Sequence, residues 1–474
     1  MPLAEGFASA SRAQWLALVE RTLKGAGADT LVSDGADGLR LRPLYTAEDA
    51  TAPLAFAPAA RGGEAPWDIR EAIDCPAPAE ARSRIAQALA GGACSLLVRI
   101  DPTGEAGVAA GSAEALATLL EDVSLEETAV ALDAGFLGVH AAGWLAAAAK
   151  ASPSARLAFH LDPLSAFAET GASPGPIEAH LIAGAGLATQ FAQTHPAARF
   201  CLASGRVVHE AGGGEAWELA VMAAAAVAWA RALVHAGLSM QAAFSRVTLC
   251  LAADGDVLVT LAKFRAARVL WARITGACGV EATASLEART SSRMLAGGDP
   301  WTNLVRLTAA GFAAAAGGAD VVVVGAFTDA LGRATPFARR LARNTQLILM
   351  EEAHIGAAID PAGGAWAFEA LSADLAGRAW EAFRTIEAAG GLVEALRGGL
   401  IARQAEAGRA AIAARLASGE TRIVGVTHFR HALDRIPDVE TTPVEPVPAP
   451  SPRLPGPDSH CPALTPIRLE ALAT

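Results

Sequence analysis

From about residue 94 the sequence alternates short β-rich apolar runs with long alanine-rich amphipathic stretches, and this alternation constrains the fold more than any other feature. Such an order is that of parallel strands joined by crossover helices. The strand runs are CSLLVRI from Cys94, AVALD from Ala129, RLAFHLD from Arg156, RFCLAS from Arg199, RVTLCLA from Arg246, VEATASL from Val280 and DVVVVG from Asp320, and an eighth falls near AAIDPAGGAWAF. After each comes Asp, Gly, Ser or Pro and then a helical segment such as 215–235 or 301–316. The runs are apolar on both faces, as in a sheet covered by helices or closed on itself. Eight such units predict an α/β fold of the (β/α)8 barrel type. An open doubly wound sheet is the alternative, and no G-x-G-x-x-G follows the first strand to favour it.

This divides the chain into an N-terminal arm (residues 1–92), the barrel (93–435) and a proline-rich extended tail (436–474). The arm opens on a helix and continues in Pro/Gly-rich pieces too irregular for an independent domain, so it is expected to wrap a partner. In the tail, TTPVEPVPAPSPRLPGPDSHCPALTP, proline fixes φ and removes backbone donors, which imposes extension. With 474 residues and 52% hydrophobic composition, the chain can bury a large core. A net charge of -11, with Lys and Arg scattered, gives no footprint for nucleic acid. The six cysteines lie apart without a C-x-x-C pair, which predicts reduced thiols and no zinc site. No secretory leader is legible, and the apolar run Leu219 to Ala230 is too short to span a bilayer, so a cytoplasmic protein with no membrane partner is expected. Walker loops, H-E-x-x-H and G-x-S-x-G are absent; GGDP from Gly297 and DPAGGA from Asp360 read as loop punctuation. His209, His235, His354, His428 and His431 read as surface or helix-cap residues.

The stretch DPWTNLVRLTAAGFAAAAGGADVVVVGAFTDALG from Asp299, with RRLARNTQLILMEEAHIGAAIDPAGGAWAFEAL after it, closely resembles the barrel of methylmalonyl-CoA mutases. LVERTLKG, PWDIRE from Pro66, SGRVVHEAGGGEAWELA from Ser204 and LAKFRAARVLWARI from Leu261 are similar to that family's landmarks, in the same order. The resemblance implies a (β/α)8 barrel behind an arm that packs on a partner subunit. It also implies a radical 1,2-rearrangement that interconverts methylmalonyl-CoA and succinyl-CoA with adenosylcobalamin, chemistry that needs a dry site and fixed polar groups.

Measured against the family pattern, the site residues are altered. P-W-x-I-R is followed in catalytic members by Gln and a substrate-facing Tyr, and here by Glu71 and Ala72. A Tyr-Pro-Thr-Met-Tyr run becomes Pro58, Ala59, Ala60, Arg61 and Gly62. The S-G-Y-H segment, whose histidine polarises the thioester carbonyl, becomes Ser204, Gly205, Arg206 and Val207. T-I-Q-N-D becomes Ala158, Phe159, His160, Leu161 and Asp162, and Thr170 stands where a carboxylate-binding arginine is expected. His-x-Gln becomes Glu287, Ala288 and Arg289, and a glutamate there repels an anionic acyl-CoA. Arg70, Arg246 and the conservative Thr248 remain as vestiges of substrate contacts.

The family's cobalamin domain carries D-x-H-x-x-G, in which the histidine is the lower cobalt ligand. Asp458, Ser459, His460, Cys461, Pro462 and Ala463 are a near-miss, and CPALTPIRLEAL resembles the lead-in to that domain. The resemblance therefore implies a small subunit without catalytic residues, metal site or bound cofactor. It would stabilise a catalytic large subunit that holds adenosylcobalamin, in a heterodimer. The alternative is a catalytic barrel that takes its cobalamin domain from a separate polypeptide.

Overall fold

The computed structural model describes residues 10–49, 66–430, 435–441, 443 and 445–473. Eight parallel strands close into a barrel. They are β1 (Asp68–Ile73), β2 (Ser95–Arg99), β3 (Ala129–Asp133), β4 (Leu157–Leu161), β5 (Arg199–Ser204), β6 (Val247–Ala253), β7 (Leu286–Thr290) and β8 (Val321–Val323). Neighbours follow chain order, and the ring closes where Val321 and Val322 pair with Asp68 and Ile69. The crossover helices are α1 (Pro78–Ala90), α2 (Ala113–Leu119), α3 (Gly138–Ala148), α4 (Ile177–Phe191), α5 (Glu215–His235), α6 (Val257–Ala277), α7 (Asn303–Ala316) and α8 (Pro336–Leu347). Side-chain caps start several of them: Asp256 accepts from Val259 N at 3.2 Å to open α6, and Thr335 with Pro336 opens α8. Outside the barrel wall, α9 (Trp366–Ala388) packs over α5 and α6, and α10 (Leu400–Ser418) follows. Helix α5 is long and apolar enough to cross a membrane, but 67% of its apolar stretch is buried inside the protein, as in a core helix.

Two strands differ from the sequence-based expectation. The eighth strand is not near AAIDPAGGAWAF, which forms turns that lead into α9; it is β1, upstream of the expected barrel start and inside the stretch read as arm. The strand expected from Val280 lies at Leu286–Thr290, and the residues before it cross the bottom of the barrel, where Ala282 O accepts from Trp271 Nε1 at 2.7 Å. Both strands carry charged residues on the inward face, Arg70 in β1 and Glu287 and Arg289 in β7, and so lack the apolar signature used to find the others.

The arm begins with helix Arg12–Thr22, which Ser11 and Gln14 open as a capping box. Leu39 then anchors it against Val259, Ala262 and Leu371. Asp37, at φ 55°, accepts from Ala216 N at 2.7 Å and so caps the start of α5 from outside the helix.

Candidate functional site

In a (β/α)8 barrel the chemistry sits at the C-terminal ends of the strands, so the lumen and that rim are where function is sought. The lumen here holds a cluster of paired charged side chains. Glu287 is wholly buried; its Oε2 accepts from Arg70 Nη1 at 2.5 Å and its Oε1 from Arg289 Nε at 2.6 Å. Arg70 also donates through Nε to Ser95 Oγ at 2.9 Å, and Arg289 through Nη1 to Asp133 Oδ2 at 3.0 Å, while Arg99 Nε stands 3.6 Å from that same oxygen. Burial alone would keep Glu287 protonated, but Arg289 and Arg70 outweigh it and hold the carboxyl well below the usual range. Burial likewise opposes the charge of Arg289, and Glu287 and Asp133 overcome it, raising its pKa.

His160 faces this cluster from β4, with Nε2 3.8 Å from Glu287. Burial pushes its pKa down to about 4, Glu287 working against the shift and Arg70 with it, so the ring is neutral at pH 7. The residue sits at φ 46°, where the β4–β5 register is irregular, and both ring nitrogens lack a hydrogen-bond partner. Ala72 packs in the lumen beside Leu97, Ala131, Ala158 and Val323. Cys250 Sγ lies 4.0 Å from Glu287, and burial raises that thiol to about 12, so it supplies no thiolate. Thr248, two residues earlier and hence on the same face of β6, has a buried hydroxyl without a partner.

The remaining sequence-predicted residues scatter. Arg206 opens the short helix Arg206–Glu210 after β5 and stands 3.5 Å from Glu210; Val207 beside it is buried. Arg246 sits just before β6, at the opposite end of the barrel from the rim, where it donates to Ala198 O at 2.8 Å and to Pro196 O. Its role in the structure is to brace the strand starts. Asp162 caps the helix Pro163–Thr170 through Ser165 N at 3.0 Å, and burial lifts its carboxyl to about 7; Thr170 donates to Ala166 O at 2.7 Å. Pro58 to Gly62 and His431 lie outside the described residues.

His209 is not the surface or cap residue expected from sequence. It is fully buried, with Nε2 3.1 Å from Asp254 and Nδ1 3.4 Å from Glu218, which in turn accepts from Lys263 Nζ at 2.6 Å. Burial, Arg293 and Lys263 oppose charge on the ring, but the carboxylates outweigh them and raise its pKa, while Glu218 is held at about 2 despite its own burial, chiefly by Lys263 and His209. No sequence signal revealed this network, because its members come from four separate segments. Each of its carboxylates is paired with a cation, Glu218 with Lys263 and Asp254 with Arg293, so it offers no free base. Among the described residues no cluster of three or more His, Cys, Asp or Glu could hold a metal.

The near-miss motif does not fit a cobalt ligand site. Ser459–His460 is a short strand paired with Ala172–Ser173, Asp458 accepts from Gly175 N at 2.9 Å and pairs with Arg453 at 2.8 Å, and Ser459 Oγ accepts from Ile177 N at 3.1 Å. The carboxylate that would orient the histidine is committed to the barrel rim.

The family model described as methylmalonyl-CoA mutase matches residues 37–448. The chain is 38% identical to the methylmalonyl-CoA mutase small subunit of Streptomyces virginiae, over 94% of this chain and 74% of that one. It is 40% identical to a protein of Mycobacterium tuberculosis described as "Probable methylmalonyl-CoA mutase small subunit", over 76% of this chain but 60% of the relative's length. The large subunit of Streptomyces virginiae is 30% identical over 92% of this chain and 64% of its own. Barrel, landmarks and relatives agree, and the chain belongs to the methylmalonyl-CoA mutase family.

Proposed function

We propose that this chain is the non-catalytic small subunit of a heterodimeric, adenosylcobalamin-dependent methylmalonyl-CoA mutase of the cytoplasm, and that it stabilises a catalytic large subunit which holds the cofactor. The observation that carries the reading is Glu287, buried between Arg70 and Arg289 in the lumen. Where the resemblance expects neutral polar groups facing an acyl thioester, this barrel has a carboxylate whose charge is spent on two arginines. Admitting an anionic acyl-CoA would mean breaking that cluster and leaving buried charges unpaired, which costs several kcal/mol. Ala72 and Val207 carry no hydrogen-bonding group with which to polarise a carbonyl. That Streptomyces virginiae has relatives named small and large subunit supports the pairing, since duplication lets one site of a former homodimer decay while the interface persists.

The test is turnover of methylmalonyl-CoA with adenosylcobalamin by this chain alone, by the large subunit of the same cell alone, and by the two co-purified. The expected result is an inert single chain and a one-to-one complex with restored or stabilised activity. Turnover on mixing this chain with a free cobalamin-domain protein would instead make it a catalytic barrel that borrows its cofactor domain.

A further inference from the structure

The proline-rich tail does not project from the molecule. Between Val439 and Leu472 its described residues run along the C-terminal rim of the barrel and are fastened to the loop after one strand after another. Val439–Glu440 pairs with Arg333–Ala334 beyond β8, and Val447 N donates to Pro102 O beyond β2 at 2.8 Å. Cys461 N reaches Gly171 O at 2.9 Å and Leu464 N reaches Ala168 O at 2.8 Å, both beyond β4. Ile467 N reaches Glu210 O beyond β5 at 2.8 Å, and Leu469 N reaches Arg293 O beyond β7 at 2.9 Å.

A carboxylate locks each end. Glu440 sits between Arg84, which is 2% exposed, and Arg339 at 3.4 Å. Glu470 accepts from Gly297 N at 2.6 Å and Gly298 N at 2.8 Å, so the GGDP stretch is a backbone anion cradle with an occupant from the same chain. Leu469 and Leu472 cover the apolar patch of Ala296, Leu416, Ile423 and Val426 beside it. The rim is shaped for the strap: a Cβ on Gly111 would run into Pro448 O, one on Gly175 into Leu454 O, and one on Gly171 would lie 3.0 Å from Cys461 O.

We infer that this strap is a built-in clamp, which holds the loops at the mouth of the barrel in one arrangement without any ligand. In an open barrel a bound ligand supplies such ordering; here five loop segments are tied to one another through a single extended peptide. Extended chain with prolines suits the task, because it has little conformational entropy to lose on docking.

Hydrogen exchange on the full chain tests this, read at amides whose hydrogen bonds do not go to the strap: Gly104 and Val108 beyond β2, Gly213 beyond β5, Leu295 beyond β7. In Glu440→Gln/Glu470→Gln these amides should exchange at least tenfold faster, with β3 and β6 unchanged. If the strap's own amides speed up and the loop amides do not, the strap is a passenger and the inference fails. Should the double variant lose protection everywhere, Gly111→Ala decides, since it keeps both latches and lifts the strap at Pro448 and Ala449. Faster exchange at Gly213 and Leu295, in loops that the substitution does not enter, upholds the clamp, and no change there overturns it.

Discussion

In the proposed function, Glu287 is the residue that closes a route its fold leaves open. With Arg70 on one side and Arg289 on the other, its ionised form is the stable one, and the pair of arginines depends on it equally. Glu287→Leu should therefore strand buried positive charge and lower stability by about 3 kcal/mol or more, read as a fall in the urea midpoint, whereas exposed substitutions stay within about 0.5 kcal/mol. The same logic predicts that restoring individual groups will not restore chemistry. Ala72→Tyr with Val207→His, supplied with adenosylcobalamin and a free cobalamin-domain protein, should still give no detectable mutase turnover, because Glu287 stays paired with Arg70 and Arg289 in the lumen; measurable turnover of that double variant would contradict the reading of the lumen as blocked.

At the scale of elements, the arm and the barrel meet at one sensitive contact. Burial, with Glu215 adding to it, raises the Asp37 carboxyl from 3.8 to about 6, against the pull of the α5 amides. A carboxyl with a raised folded pKa contributes stability that is complete below about 3.8 and is lost as pH climbs through 6. Exchange protection of the segment from Ala28 to Leu41 should thus weaken between pH 4 and pH 7, and Asp37→Asn should flatten that dependence. Gly214 belongs to the same contact: a Cβ there would overlap the Asp37 carboxylate, so Gly214→Ala should release the arm while the barrel stays folded.

The elements also show what a sequence can and cannot reveal. Strands β3 and β5 lie at the positions where their apolar runs begin and end, because their polar residues stand at the strand ends and leave the apolar run unbroken. β1 and β7 escaped recognition for the reason that makes them informative, namely charges turned inward, which only a closed lumen can pair. Likewise the partners of Arg70 and Arg289, Ser95 and Asp133, are ordinary strand-end residues in sequence and become a cluster only when the barrel closes. The network around His209 was hidden in the same way. The altered family positions, by contrast, were visible at once, since a replaced residue in a long motif needs no structure to be seen.

For the whole molecule, the arrangement favours a rigid scaffold over a responsive one: a filled lumen, a strapped rim, and an arm held by a cap at α5. If the chain pairs with a large subunit as proposed, co-expression should raise the thermal midpoint of that partner, measured by calorimetry, and Glu287→Gln should reduce that gain in step with its own loss of stability rather than alter the substrate KM of the pair.

The seam of the barrel has one more consequence. β1 and β8 are hydrogen-bonded neighbours, yet about 250 residues separate them in the chain. On a ribosome adding roughly 5–20 residues each second, the first strand waits on the order of 13–50 s for the last. A nascent chain in that interval carries an open sheet edge, so it is during synthesis, more than after it, that this protein has most need of a chaperone or of a partner already waiting.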